Sequence, residues 1–74
     1  MKTEQEIEAL ELLGFETTLL LCTAGHKAHF EGYNNNTESL SFTVNSRQHS
    51  VCVAADSKEA ALRDIALQLL TKKL

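Results

Sequence analysis

The sequence has no proline, no tryptophan, one tyrosine and only three glycines in 74 residues. This scarcity of proline and glycine excludes a collagen-like repeat or a flexible linker, and an apolar content of 43% with 23% charge is typical of a globular chain. Long apolar runs are also missing. The runs Leu19 to Cys22 and Val51 to Ala55 are both far shorter than the roughly 20 residues of a membrane helix. We expect one small domain over residues 1–74.

Positive charge is sparse and scattered. The formal net charge is −3, and residues 1–16 hold five glutamates against Lys2 alone. Nucleic-acid binding normally needs clustered Lys and Arg, and the only such pair is Lys72-Lys73. No apolar stretch follows Met1, so we expect no secretory signal peptide. The sequence therefore predicts a cytoplasmic protein without a nucleic-acid or membrane partner.

Reactive side chains are few, and none forms a specific motif. They are the two cysteines and three histidines: Cys22, His26, His29, His49 and Cys52. The spacing loosely resembles structural zinc sites, but two histidines three apart on a strand point to opposite faces. We interpret the cysteines as reduced and buried and the histidines as surface residues. The sequence predicts no enzyme, no metal and no cofactor.

The N-terminal residues predict a helix that ends at Gly14. Thr3 and Glu6 have capping-box spacing, and Gly14 is placed to close the helix in a left-handed conformation. One arc of this helix is apolar, and the opposite face is acidic. The apolar arc comprises Ile7, Ala9, Leu10, Leu12 and Leu13, and the acidic stripe comprises Glu4, Glu8 and Glu11. We expect the stripe to contact a basic partner, unless it is only a solvated surface.

The next residues favour an antiparallel meander of three to four strands. The chain over 15–23 is rich in apolar and β-branched residues, and both of its alternating faces are apolar, so we expect a central strand there. Further strands are predicted over 26–33, 40–44 and 49–55, with a hairpin connection over 45–48. A fold of the α+β class follows, in the order helix, meander, helix.

A final helix is predicted from Ser57 to Lys73, capped by Asp56 with Glu59. Its buried stripe is formed by Ala61, Leu62, Ile65, Ala66 and Leu69. A second apolar ridge projects away from that stripe and has no partner in so small a domain. We expect this ridge to mediate a homodimer or higher oligomer; its residues are Leu67, Leu70 and Leu74. The alternative is a frayed last turn with an exposed Leu74.

Two family resemblances bear on function. Gly25-His26 and the helix start Ser57-Lys58-Glu59-Ala60 resemble double-stranded-RNA-binding domains, which also run from a helix through a small sheet to a helix. Those domains place several lysines at the start of the final helix to hold phosphates, whereas this chain has Lys58 followed by Ala60 and Ala61. The RNA-binding activity is therefore not carried over.

The chain more closely resembles small phage and prophage proteins with an α-β-α sandwich, the phage ABA sandwich domain. The resemblance covers most of the chain and rests on the helix start at Asp56, on the meander, and on the junction Ile7-Glu8-Ala9-Leu10-Glu11-Leu12-Leu13-Gly14-Phe15. Family members often carry a tryptophan in the second strand, which this chain lacks. The family supplies no catalytic residues, so the resemblance implies a phage or prophage origin and no particular activity. The protein is then expected in the cytoplasm of a bacterial host cell.

From these observations we expect a phage-type accessory protein that binds another protein, for example to inhibit a host defence or regulatory factor. The first alternative is an oligomer that binds or sequesters a small ligand between chains. The second alternative is a degenerate double-stranded-RNA-binding-like domain. Thermal stability measured with nucleotides and metals distinguishes a ligand-binding module, because a ligand of the native state raises its Tm.

Overall fold

The structure is a computed structural model that describes residues 2–53 and 57–71. Its elements are α1 (Glu4–Thr23), β1 (Ala28–Asn34), β2 (Ser39–Val44), β3 (Arg47–Cys52) and α2 (Lys58–Thr71). The three strands form one antiparallel sheet in the order β1-β2-β3. The expected α+β order of helix, meander and helix is confirmed, with three strands in the sheet. Among the described residues, no helix is both long and apolar enough to cross a membrane.

The predicted strand over 15–23 is wrong, because those residues continue α1. The buried positions Leu13, Thr17 and Leu21 recur every four residues, which is the spacing of a helix face. The Thr17 hydroxyl donates to the Leu13 carbonyl at 2.8 Å, and Thr18 and Thr23 make the same bond to the carbonyl four residues back. These threonines, which favoured a strand in the sequence, therefore satisfy their hydroxyls within the helix.

The sequence predicted that the helix ends at Gly14, and that prediction is wrong. Gly14 lies within α1, against the sheet. A Cβ at this position would overlap the ring of Phe30 on β1. Glycine therefore allows α1 to approach the sheet closely. The left-handed residue that follows the C-terminal end of α1 is Gly25, with φ of +92°. The amides of Gly25 and His26 donate to the carbonyls of Cys22 and Leu21 at 3.0 Å each, which is a Schellman motif.

The other end of α1 confirms the predicted cap. The Glu6 amide donates to the Thr3 hydroxyl at 3.3 Å, and that hydroxyl lies 3.3 Å from the Glu6 carboxylate. The predicted apolar arc is only partly correct. Leu13 is buried and Ile7 and Leu10 are half-buried, whereas Ala9 and Leu12 are exposed. The prediction misjudged which side of the helix is buried, because it used only the residues before Gly14 and not Thr17 and Leu21.

A tight turn and a β-bulge set the register of the sheet. Asn45 and Ser46 connect β2 to β3 with φ of +52° and +71°, the signs required by a type I′ turn. The predicted four-residue connection is thus shortened to two residues, and Arg47 pairs with Val44. In β1 a bulge between Phe30 and Gly32 shifts the register and bends this edge strand.

The strand pairing shows which side chains lie on the same face of the sheet. Phe30 pairs with Phe42, and Phe42 pairs with His49, so the three side chains share one face. This face packs against both helices, and the apolar core lies between the sheet and the helices. The predicted alternation of β2 and β3 is correct, with Val51 buried and Ser50 and Cys52 exposed. Ala54 and Ala55 lie outside the described residues.

α2 packs beside α1 on the same face. The buried stripe is confirmed, with Ala61, Ile65, Ala66 and Leu69 buried and Leu62 half-buried. The cap is supplied by Ser57, whose hydroxyl accepts from the Ala60 amide at 3.2 Å. The expected cap residue, Asp56, lies outside the described residues, as do Lys72, Lys73 and Leu74. The described chain is therefore two layers, one of helices and one of strands.

Candidate functional site

All the large apolar side chains that are exposed among the described residues lie on the two helices. Their exposed fractions run from 42% for Leu70 to 68% for Leu19. We call this set the helical apolar face; it consists of Leu12, Phe15, Leu19, Leu20, Leu67 and Leu70. Scattered single leucines are normal on a protein surface, but six large apolar side chains on one layer of a small domain make that layer a candidate interaction surface.

The geometry of α1 explains this exposure. Leu12, Phe15 and Leu19 are spaced by three and four residues, so they form a stripe on the side of the helix away from the sheet. The inner side is already filled by Leu13, Thr17 and Leu21. Phe15 sits at the border of the two sides, with its ring 5.2 Å from that of Phe30 in an edge-on contact. The sequence prediction missed this stripe because alternation along a strand separates residues that a helix brings together.

An open groove of about 560 Å³ lies between α1 and α2. Its lining is mostly apolar and includes Leu20 of α1 and six residues of α2: Glu59, Leu62, Arg63, Ala66, Leu67 and Leu70. Lys58 joins the two helices by donating to the Glu16 carboxylate at 2.9 Å. The groove thus has an apolar floor, with one charge of each sign at Glu59 and Arg63.

The acidic stripe of α1 continues the apolar stripe towards the N-terminus. Glu4 and Glu8 are exposed and Glu11 is half-buried, and Glu8 precedes Leu12 by one helical turn. The two ion pairs formed among the described residues engage Glu16 and Glu38, so neither uses the stripe. The outer side of α1 therefore has an acidic first half and an apolar second half.

The N-terminal chain is fixed to the sheet by one exposed ion pair. Lys2 Nζ lies 3.3 Å from the Glu38 carboxylate, in the turn between β1 and β2. The hydrogen bond and the charge of Glu38 raise the pKa of Lys2 above its ordinary value. This contact lies next to the start of α1 and does not involve the acidic stripe.

The predicted self-association ridge is exposed as far as the structure describes it. Leu67 and Leu70 are 57% and 42% exposed, and Leu74 lies outside the described residues. The sequence did not foresee that Leu20 of α1 lies beside them across the groove. Both helices therefore contribute to this surface.

The cysteines were predicted to be buried, and that prediction is wrong. Cys22 and Cys52 are free and exposed. Cys22 lies on α1, where its thiol is 3.7 Å from the Ala28 carbonyl, whereas Cys52 lies on the outward face of β3. The burial of both cysteines was predicted from their residue type; Cys22 was also placed in a strand, whereas Cys52 lies on the side of β3 opposite the buried Val51.

The histidines do not converge with the cysteines on a metal site. His26 precedes β1 and lies 3.1 Å from the Asn45 amide, and His29 is exposed on the strand. His49 was expected at the surface but is buried, with 7% of its surface exposed, on the helix-covered face of the sheet. Within 2–53 and 57–71, no three metal-ligating side chains come together.

The opposite face of the sheet carries short polar side chains. The Thr43 hydroxyl donates to the Glu31 carboxylate, and Ser50 donates to Ser39 at 3.1 Å. A cavity of about 230 Å³ is lined by Glu31, Ser41, Gln48 and Ser50 of this face and by His49, which lies between the last two residues in β3. The hydroxyl groups of Ser39, Thr43 and Ser50 are engaged by neighbours within the sheet, so this face has fewer features of a contact surface than the helical layer.

Comparison with known proteins identified no matching family model, no similar curated protein and no similar solved structure.

Proposed function

We propose that this protein is a small non-enzymatic binding protein that attaches to a basic surface of another protein through Glu4, Glu8 and Glu11. The observation that carries the proposal is the acidic stripe itself. Its carboxylates lie along one side of a single helix, and the ion pairs formed among the described residues leave them available. Charge complementarity of this kind speeds association and sets specificity.

The biological setting is proposed as a phage or prophage protein that acts on a host defence or regulatory factor in the bacterial cytoplasm. This part rests on the resemblance of the sequence to the phage ABA sandwich domain. Both described helices lie on one face of the sheet, so the arrangement of layers adds no support to that resemblance. The small size and the acidic N-terminal helix are consistent with an inhibitor that covers a basic surface.

Reversal of the stripe tests the binding proposal. The variant Glu4→Lys, Glu8→Lys, Glu11→Lys should lose capture of its partner from bacterial lysate, because three attractions become repulsions. Its far-UV circular dichroism should match the wild type, since the three side chains project from the helix. Unchanged capture by the folded triple variant would show that the stripe serves only solubility.

A control applies the same type of charge reversal to a single carboxylate elsewhere, for comparison with Glu8→Lys alone. Glu31→Lys on the open sheet face reverses an exposed carboxylate that lies outside α1. It should leave capture intact if the stripe is the contact. Mass spectrometry of the captured protein then identifies the partner, and a partner with an acidic surface would contradict the proposal.

A degenerate double-stranded-RNA-binding-like domain remains the second candidate, favoured by the order of helix, three strands and helix. The lysine at the start of the final helix, Lys58, is held by Glu16. This pairing reduces the charge available to a phosphate. Retention of the protein on duplex RNA that weakens steeply with salt would favour this candidate over protein binding.

A further inference from the structure

We infer that a second copy of this chain covers the helical apolar face, so that two helical layers pack together between two sheets. The surface goes beyond the ridge on α2 that the sequence indicated, because Leu12, Phe15, Leu19 and Leu20 of α1 belong to it. The inference is independent of the partner proposed for the acidic stripe.

The exposed area is close to what a dimer requires. Six large apolar residues with exposed fractions of 42–68% together present on the order of 600 Å² of surface. This is the upper end of what a monomer normally exposes, and a standard interface buries about 800 Å² on each partner. Polar residues at the rim supply the remaining area.

The shape of the face also fits a second copy. Two helices lie side by side, and their outer side chains form a ridged layer with a groove between them. Two such layers form a four-helix arrangement, in which the ridge of one layer enters the groove of the other. Because the same surface serves both copies, a two-fold axis closes the assembly at two chains.

Charge fixes the direction in which the two copies meet. A parallel pairing of α1 with its copy would bring the two acidic stripes together. An antiparallel pairing, centred near Leu19, places the two Glu11 residues about 24 Å apart at a rise of 1.5 Å per residue, with Glu4 and Glu8 farther apart still. That separation is several Debye lengths at physiological salt, so the repulsion is screened. In the groove, Glu59 and Arg63 contribute opposite charges, and Glu16 is neutralised by Lys58.

The dimer leaves the acidic stripes uncovered at its two ends. Each stripe precedes the apolar half of α1 and therefore lies outside the centre of the interface. Two identical stripes on one particle would bind a repetitive or dimeric basic surface with higher avidity than a single stripe. The assembly thus separates self-association, at the apolar half of α1 and α2, from partner binding at the acidic half.

Sedimentation velocity of the full chain at micromolar concentration tests the inference. The wild type should sediment as a species of twice the 8.2 kDa chain mass and dissociate on dilution. Leu19→Glu and Leu67→Glu should each raise the dissociation constant by about a hundredfold or more, because each change occurs twice and buries unpaired carboxylates. The control Gln68→Glu adds the same charge at an exposed position of α2 that does not line the groove.

Thermal unfolding supplies a second measurement. The Tm of a dimer rises with protein concentration, so the wild type should show this rise and Leu67→Glu should not. A wild type that stays at 8.2 kDa up to millimolar concentration would overturn the inference. So would a dimer that persists in both folded leucine variants, since the contact would then lie elsewhere. The lysine variants of the stripe should stay dimeric, which separates failure here from failure of the proposed function.

Discussion

The inner and outer sides of α1 both carry apolar residues, but the larger side chains are outside. The side against the sheet holds Gly14 and Thr17 between its buried leucines, whereas the outer side holds Phe15 and Leu19 at 62% and 68% exposure. The difference arises because the Phe30 ring occupies the space beside Gly14, so the inner side has no room for larger residues. Side-chain size therefore does not decide which side of this helix is buried.

The largest effect is expected from shortening a leucine on the inner side. Leu21→Ala should lower the free energy of unfolding by about 2–5 kcal/mol, because Leu21 is fully buried and its loss leaves a cavity. In a domain of this size that loss can exceed most of the stability, so the variant should unfold at much lower urea concentration. Equilibrium urea unfolding followed by circular dichroism measures the change.

The matched control is Leu19→Ala, two residues earlier on the outer side. In dilute protein it should change the free energy of unfolding by less than about 0.5 kcal/mol. A larger loss in the free energy of unfolding that appears only at high protein concentration would be caused by weaker self-association. Equal losses for the two variants in dilute protein would remove the distinction between the two sides.

A smaller effect is expected from filling the space at Gly14. Gly14→Ala raises helix propensity by about 1 kcal/mol, yet the new Cβ overlaps the Phe30 ring, and overpacking costs about 1–3 kcal/mol. The ring has little freedom to move, since Phe15 and Phe42 lie 5.2 Å from it on two sides. We therefore expect a net loss of stability.

A double-mutant cycle with Phe30→Leu identifies the cause. Removing the ring makes space for the Cβ, so Gly14→Ala should be stabilising in the Phe30→Leu background. If Gly14→Ala stabilises the wild type, the close contact of helix and sheet does not restrict this position. The cycle thus measures how far one ring determines what the inner side of α1 accepts.

The smallest effect concerns the exposed pair that holds the start of the helix. Because Glu38 raises the pKa of Lys2, the stabilisation from this pair is fully present below the ordinary lysine pKa of about 10.5. It should disappear as pH rises through the higher pKa of the folded state. Glu38→Gln should return the pKa of Lys2 towards its ordinary value, as measured by NMR titration of the Lys2 side chain.

The expected change in Tm for Glu38→Gln is small, since exposed pairs are screened by solvent. The difference in Tm from the wild type should be detectable at pH 9 and absent well above the Lys2 pKa. A difference that persists at high pH would show that Glu38 stabilises the protein through contacts other than its ion pair with Lys2.

Several local elements were predictable because their cause lies within a few residues. The Thr3 cap depends on a hydroxyl and an amide three residues apart, and the alternation in Leu40, Phe42 and Val44 follows from the two-residue period of a strand. The buried stripe of α2 likewise follows from helical spacing. The acidic stripe and the ridge at Leu67 and Leu70 were found in the same way.

The sequence alone thus determined the α+β order of the elements and the alternation of buried and exposed residues in β2 and β3. It also determined the acidic stripe of α1 and the apolar ridge of α2, which became candidate sites. Only the tertiary structure decided that residues 15–23 form a helix. Their apolar and β-branched residues satisfy either period, and the choice depends on contacts with Phe30 and the core that are distant in sequence. The same choice placed Leu12, Phe15 and Leu19 on one outer stripe and left Cys22 exposed, because the side of a helix that is buried is set by the surface it packs against.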